Sequence, residues 1–242
     1  MTGVVANILA VLLGGIFGTL FGGYMSKDFT EKLNAVFGVC AIGMGISSIV
    51  LMENMPAVIL AVVLGSALGL AMGLGKIING GAMLLQKPLA KILKGGTPSG
   101  GSQEEFLSLL VTAVVLFCAS GTGIYGCLDA GMTGNASVLL AKSVLDFFTA
   151  AVFACTLGAV TAVVAVPQTA VFLILFFAAK RIFPLTTPSM IADFKACGGF
   201  LLVATGLRIA KIKEFPVADM IPAMALAMPL SGLWSAYIAP LL

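Results

Sequence analysis

The stretch AVFACTLGAVTAVVAVPQTAVFLILFFAA, from Ala151 to Ala179, carries no charged residue and no polar face at helical spacing. A helix on the surface of a water-soluble domain needs such a face, because one of its sides must meet solvent. A bilayer makes the opposite demand, since about 20 consecutive apolar residues are needed to cross a hydrocarbon core of about 30 Å. Val4 to Gly23 reads the same way. Across the 242 residues the hydrophobic share is 60% and the charged share 10%, where a soluble domain carries roughly a quarter charged residues. Lipid offers the backbone no hydrogen-bond partner, so only helices and closed barrels span it, and these runs lack the alternation of barrel strands. The fold expected is an all-α polytopic transmembrane helical bundle, one transmembrane domain over 1–242.

The same composition narrows the chemistry. Histidine is absent, which removes the commonest metal ligand and general base. Cys40, Cys118, Cys127, Cys155 and Cys197 lie in or beside apolar runs without CxxC spacing, the pattern of neither a disulfide frame nor a metal knuckle. No metal, no cofactor and no enzymatic activity is expected. Ser143 beside Lys142 does not make a nucleophile pair, because neighbours on a helix point about 100° apart. The net charge of +3 gives no reason to expect nucleic acid. The expected partners are the lipid bilayer and a small polar solute or monovalent ion, with homo-oligomerisation left open. Met1 to Val5 has no basic n-region or cleavage site, so the first helix is expected to remain in the product.

Apolar runs and their breaks give about eight spans: 3 to 24, 31 to 51, 55 to 74, 105 to 125, 136 to 157, 162 to 182, 189 to 209 and 218 to 240. Between the third and fourth, Lys87, Lys91 and Lys94 recur at helical spacing among Leu84, Leu85, Leu89, Ile92 and Leu93. That is a basic amphipathic helix expected on an anionic membrane surface. Gly95 to Gly101 follows as a flexible linker, and Ser102 with Glu105 is a capping box for the fourth span. From Ala136 to Ile182 only Gly158 and Pro167 break the run. A rival count of seven makes 136 to 149 re-entrant. Counting eight, Lys27, Lys32, Lys76, Lys87, Lys91, Lys94, Arg208, Lys211 and Lys213 share one side, which is then cytoplasmic and leaves both termini outside.

An internal repeat favours eight. Subtracting 38 from 199, 45 from 206 and 7 from 168 gives 161 each time, for Gly38 and Gly199, Gly45 and Gly206, Asn7 and Gln168. After a small insertion, Pro56, Ala57, Leu60 and Ala61 match Pro222, Ala223, Leu226 and Ala227, with polar Asn54 and Asp219 ahead of the prolines. Spans one to three thus resemble spans six to eight and enter the membrane in opposite directions, an inverted repeat of two three-helix units as in many secondary transporters. The expected organisation is repeat unit one at 1–75, the surface helix and Gly-rich linker at 76–103, spans four and five at 104–158, and repeat unit two at 159–242.

Lys142 and Asp146, four residues apart inside the fifth span, are the sharpest candidates for a solute or ion site. Charges at that depth cost at least about 2.5 kcal/mol each on insertion scales, so they must face the bundle and pair. A salt bridge that only fixes helix packing is the plainer alternative. Asn7 and Gln168 offer carboxamides at equivalent repeat positions, or cap their own helices. Gly121 to Gly131, with Gly121, Gly123 and Asp129, ends the fourth span in a run able to free backbone groups for an ion, or to serve as an ordinary re-entry loop. Gly14, Gly18 and Gly22, with Gly65, Gly69 and Gly73, stand at spacing that lets helix backbones approach, inside the monomer or across a dimer.

The stretch Leu140 to Asp146 with its Lys-Ser-x-x-Asp element, the Gly123 to Gly131 run with Asp129, Ile191 to Gly199, and Asp219 before Pro222 resemble the YqgA/YdfK-like family of bacterial membrane proteins, a domain of unknown function. The likeness covers essentially the whole chain. It departs from the family pattern at Phe147, where Gly commonly follows the Asp, and at Asp219, where Asn is usual. The resemblance implies a multi-pass protein of the bacterial inner membrane and transfers no settled activity. The repeat and the charged pair lead to the expectation of a transporter or exporter of a small polar or charged solute, with an ion channel or a scaffold subunit as alternatives.

Overall fold

A computed structural model describes residues 1–24, 26–80, 110, 113–114, 116–118 and 120–241. Its helices are α1 (Thr2–Phe21), α2 (Lys27–Ile49), α3 (Met55–Met72), α4 (Gly121–Thr133), α5 (Ser137–Leu157), α6 (Val160–Val163), α7 (Ala165–Ile182), α8 (Pro188–Ile209) and α9 (Ile221–Leu233). A π-helical turn, Trp234–Ile238, continues α9 a few residues beyond Pro229, which stands inside that helix. No strand occurs among the described residues. Seven helical stretches there are long and apolar enough to cross a membrane: Thr2–Phe21, Glu31–Ile49, Met55–Met72, Ser137–Leu157, Val160–Leu185, Pro188–Ile209 and Ile221–Leu241. The expected fourth span falls largely outside the described residues, as do the expected amphipathic helix, its linker and the Ser102 capping box.

Local chemistry sets the helix ends. Pro56, Pro188 and Pro222 open α3, α8 and α9, where a missing N–H costs nothing and the fixed φ suits the first turn. Thr187 caps α8 by accepting from the Met190 amide. Gly73 at φ 62° closes α3 and Gly134 at φ 76° closes α4, the left-handed positions that favour glycine. Gly158, also at positive φ, ends α5, which runs unbroken from Ser137 rather than folding back as a re-entrant segment.

The Gly121 to Gly131 stretch, expected to end the fourth span either in backbone groups freed for an ion or in a re-entry loop, is instead regular helix within α4. Ser120 accounts for this: its backbone is extended and its hydroxyl accepts the Gly123 amide, a helix N-cap. Helical residues 116–118 precede that break, so the polypeptide starts a new helix at Gly121.

The chain divides into two compact units, Met1–Asn34 with Ile77–Ala178, and Ala35–Lys76 with Ala179–Leu242. In the first, α1 lies parallel to α5 in backbone contact. A methyl group added to Gly14 would strike the Phe147 carbonyl, one on Gly18 the Ala151 carbonyl, and one on Gly22 would stand 3.0 Å from Cys155 Cα. Gly15, on the next face, abuts Ala162. The other side of α1, with Val5, Leu9, Leu13, Ile16 and Leu20, is exposed and suits lipid tails. A dry cluster of Val11, Leu110, Phe117, Ala150, Leu157 and Val164 fills the interior of this unit.

In the second unit α2 runs antiparallel to α8. A methyl on Gly38 would lie 2.6 Å from the Gly206 carbonyl oxygen, and one on Gly206 equally 2.6 Å from that of Gly38. Gly45 and Gly199 oppose one another in the same way, at 2.7 and 2.6 Å. Alongside, Gly65 meets Ala223 and Gly69 meets Asp219 where α3 crosses α9. Five of the six expected packing glycines therefore stand at close helix approaches. Gly73 does not: an added methyl would have only Lys76 nearby, at 3.8 Å, and its role is to terminate α3.

Candidate functional site

Two turns into α5, Lys142 and Asp146 fall on one face because four residues make slightly more than a turn. Both side chains are buried. The Lys142 ammonium donates to Asp146 at 2.7 Å and lies as close to the second carboxylate oxygen. Asn7 reaches the same carboxylate from α1, its Nδ2 donating to Asp146 Oδ2 at 2.9 Å. Gln168 extends the chain from α7, Nε2 donating to Asn7 Oδ1 at 2.7 Å. Four residues from three helices thus form one directional network in which successive donors point toward Asp146. All are buried in the first unit, Asn7 and Gln168 completely.

The network ends on an acceptor. Gln168 Oε1 is buried and has no hydrogen-bond partner among the described residues, and the same holds for Thr161 Oγ1. A buried amide carbonyl without a donor costs about 1–3 kcal/mol, so the far end of the chain is suited to a water or a ligand bearing N–H or O–H.

α4 packs back against α5, and the Ser120 break that starts it is buried. Gly126 abuts Leu139. Cys118 lies within electrostatic reach of both Lys142 and Asp146, and Cys127 of Lys142. Gly123 packs against the Phe172 ring, at 2.9 Å for an added methyl, one turn beyond Gln168. Gly121 opens α4. The positive end of that helix is therefore turned into the interior.

The remaining candidates have local partners. Ser143 donates back to the Leu139 carbonyl at 2.6 Å, one turn earlier on its own helix, which leaves it no pairing with Lys142 of the kind a nucleophile needs. Asp129 is buried and accepts from Thr133 at 3.0 Å.

A second polar centre lies in the other unit and was not among the sequence candidates. Asp193, fully buried in α8, accepts the backbone amides of Glu53 and Asn54, each at 2.9 Å, the Asn54 carboxamide at 2.9 Å and the Ser231 hydroxyl at 2.6 Å. The available signal was an acidic residue inside an apolar span. Separately, Asp219 accepts the Gly75 amide at 2.7 Å.

The sequence matches, over residues 2–232, the model of a family described as a protein of unknown function, DUF554. It is 46% identical over 233 residues to the uncharacterized protein YqgA of Escherichia coli strain K12, covering 96% of this chain and 97% of that relative. It is 26% identical over 230 residues to the uncharacterized membrane protein YdfK of Bacillus subtilis strain 168, covering 93% of each. No solved structure matches the chain.

Proposed function

The chain belongs to the DUF554 family, and from that premise we propose that it is a secondary transporter or exporter moving a small polar or charged solute or ion across the bacterial inner membrane by alternating access. The observation that carries this reading is a set of contacts that recur in reciprocal form when each residue is replaced by its mate at an offset of 161. Asn7 bonds directly to Gln168, its own mate at that offset. Gly38 meets the Gly206 carbonyl and the Ala210 amide, while Gly199, the mate of Gly38, meets the Gly45 carbonyl and the Ile49 amide, the mates of those two. Gly45 meets Val203 and Gly206 meets Ile42, again mates. Within the second unit this reciprocity is what a two-fold axis lying across the antiparallel α2 and α8 would produce, and it supports reading the two three-helix segments as oppositely directed. That is the symmetry of an inverted repeat.

Direction supports an eighth crossing. Each span reverses the chain, so α3 ends on the side opposite the start of α1, yet α5 runs parallel to α1 and begins on its side. The eight-span count expected from the sequence reconciles them, and the span it adds falls largely outside the described residues.

Within the first unit Asn7 and Gln168 meet as mates at the same offset and join directly to the buried ion pair, the kind of position at which transporters built from inverted repeats hold solute. The test is flux in proteoliposomes with the double variant Lys142→Met, Asp146→Leu. A pair used by the solute gives a protein that folds yet no longer transports. Full, saturable flux in the double variant removes the pair from the pathway, and unitary current steps in the parent protein replace transport by conduction.

A further inference from the structure

The second unit holds a polar cluster that does not depend on the transport reading. At its base are Asp193 and Ser231, both fully buried. The Asn54 amide nitrogen lies 2.8 Å from Ser189 Oγ, 2.9 Å from Asp193 Oδ2, 3.2 Å from Ser235 Oγ and 3.5 Å from Ser231 Oγ. An amide nitrogen carries two hydrogens and can serve two of those four oxygens. Ser231 gives its own proton to Asp193, so toward Asn54 it shows only lone pairs. The cluster thus gathers four oxygens around one nitrogen whose two hydrogens serve only two of them.

Charge points the same way. Ion pairs join Lys32 to Asp28, Lys142 to Asp146 and Arg208 to Glu214, whereas Asp193 sits among uncharged partners. Its partners are two backbone amides, a carboxamide and a hydroxyl, all neutral. Burial declines outward from Asp193 and Ser231 through half-buried Ser189 and Asn54 to exposed Ser235, which leaves a graded way in.

We propose that Asp193, Ser189, Ser231, Ser235 and Asn54 form a binding site for a small monovalent cation, with the Asn54 amide nitrogen marking where the ion lies. All-oxygen ligation suits hard cations, and one carboxylate matches one positive charge, where calcium sites gather several. An ion at that position meets the four oxygens that now surround the nitrogen, and the Asn54 side chain swings aside to admit it, free to turn its own oxygen toward the ion as a fifth ligand. The two backbone amides on Asp193 Oδ1 hold the carboxylate in place throughout, leaving Oδ2 to the ion.

Thermal unfolding of the purified full-length chain in detergent tests the site, with NaCl, KCl or NH₄Cl exchanged against choline chloride at constant ionic strength. One of the three is expected to raise the midpoint saturably, because a ligand that binds only the folded state stabilises it. Asp193→Asn should weaken the apparent affinity about tenfold or more, as a charged acceptor becomes neutral. Ser231→Ala should weaken it less while leaving the backbone amides on Asp193 intact. If Asp193→Asn fails to fold, Ser231→Ala and Ser235→Ala decide: a reduced response upholds the site and an unchanged one overturns it. A parent protein indifferent to all three salts, or an Asp193→Asn chain that responds like the parent, also overturns it.

Discussion

Asp146 is a buried anion held by one cation and one amide, and the order of those partners governs what its loss does. Asp146→Leu strands Lys142 without a counter-charge, a change that costs about 3–5 kcal/mol in other proteins. Adding Lys142→Met removes the stranded charge and leaves the Asn7 amide as the main uncompensated group, worth about 1–3 kcal/mol. The double variant is therefore expected to be more stable than the single one, as measured by reversible unfolding in mixed micelles. If the double is the less stable of the two, the pair does not carry charges that depend on each other. The pair was legible in the sequence because two charges at a spacing of four interrupt an apolar run. Asp193 was not, since it stands near the start of α8 close to polar Ser189, where charged groups usually meet headgroups. Its partners Glu53 and Asn54 are 140 and 139 positions away, and no local pattern brings them together.

At the scale of helices, glycine does two jobs that identical chemistry can separate. Gly43 is exposed in α2 with nothing within 4 Å of an added methyl, whereas Gly18 in α1 would drive one into the Ala151 carbonyl. Gly43→Ala is expected to stabilise by about 0.5–1 kcal/mol through reduced backbone freedom, while Gly18→Ala should destabilise by about 1–3 kcal/mol through overpacking. Opposite signs in parallel unfolding experiments check both, and equal signs would mean that α1 and α5 do not approach as closely as they stand here. The glycine rows were legible by spacing alone. What spacing left ambiguous was Gly73, which continues the row of Gly65 and Gly69 yet has φ 62°, a property of the chain's exit from the helix. The start of α4 was hidden for a related reason: a serine cap turns a glycine run into helix, and the run alone reads as loop. Gly73→Ala should cost about 1 kcal/mol by the strain of a left-handed non-glycine residue, with no loss of α3–α9 contact.

For the molecule as a whole, the seven apolar helices among the described residues and the proposed eight crossings differ in one decidable consequence, the side on which each terminus lies. Odd crossings separate the termini and even crossings join them. The offset of 161 was visible in the sequence because Gly38 and Gly45 recur as Gly199 and Gly206, and each stands where an added methyl would meet a facing backbone. The number of crossings was legible only through that offset, because apolar sequence from Ala136 to Ile182 carries no polar loop to mark a turn. Parallel α1 and α5 argue for the even count, and the basic side chains Lys27, Lys32, Lys76, Arg208, Lys211 and Lys213 then fall together on the cytoplasmic face. Alkaline phosphatase fused after Leu242 should accordingly be active and green fluorescent protein at the same point dark, because the first folds only after export and the second only before it. The same fluorescent protein inserted after Lys213 should be bright, and a cysteine at Thr2 should react with an impermeant thiol reagent from the periplasmic side. Termini on opposite sides would remove the eighth crossing and, with it, the inverted relation of the two three-helix units. Termini together in the cytoplasm would keep the crossings and the repeat but reverse the orientation, which would place Lys211 and Lys213 in the periplasm against the charge rule.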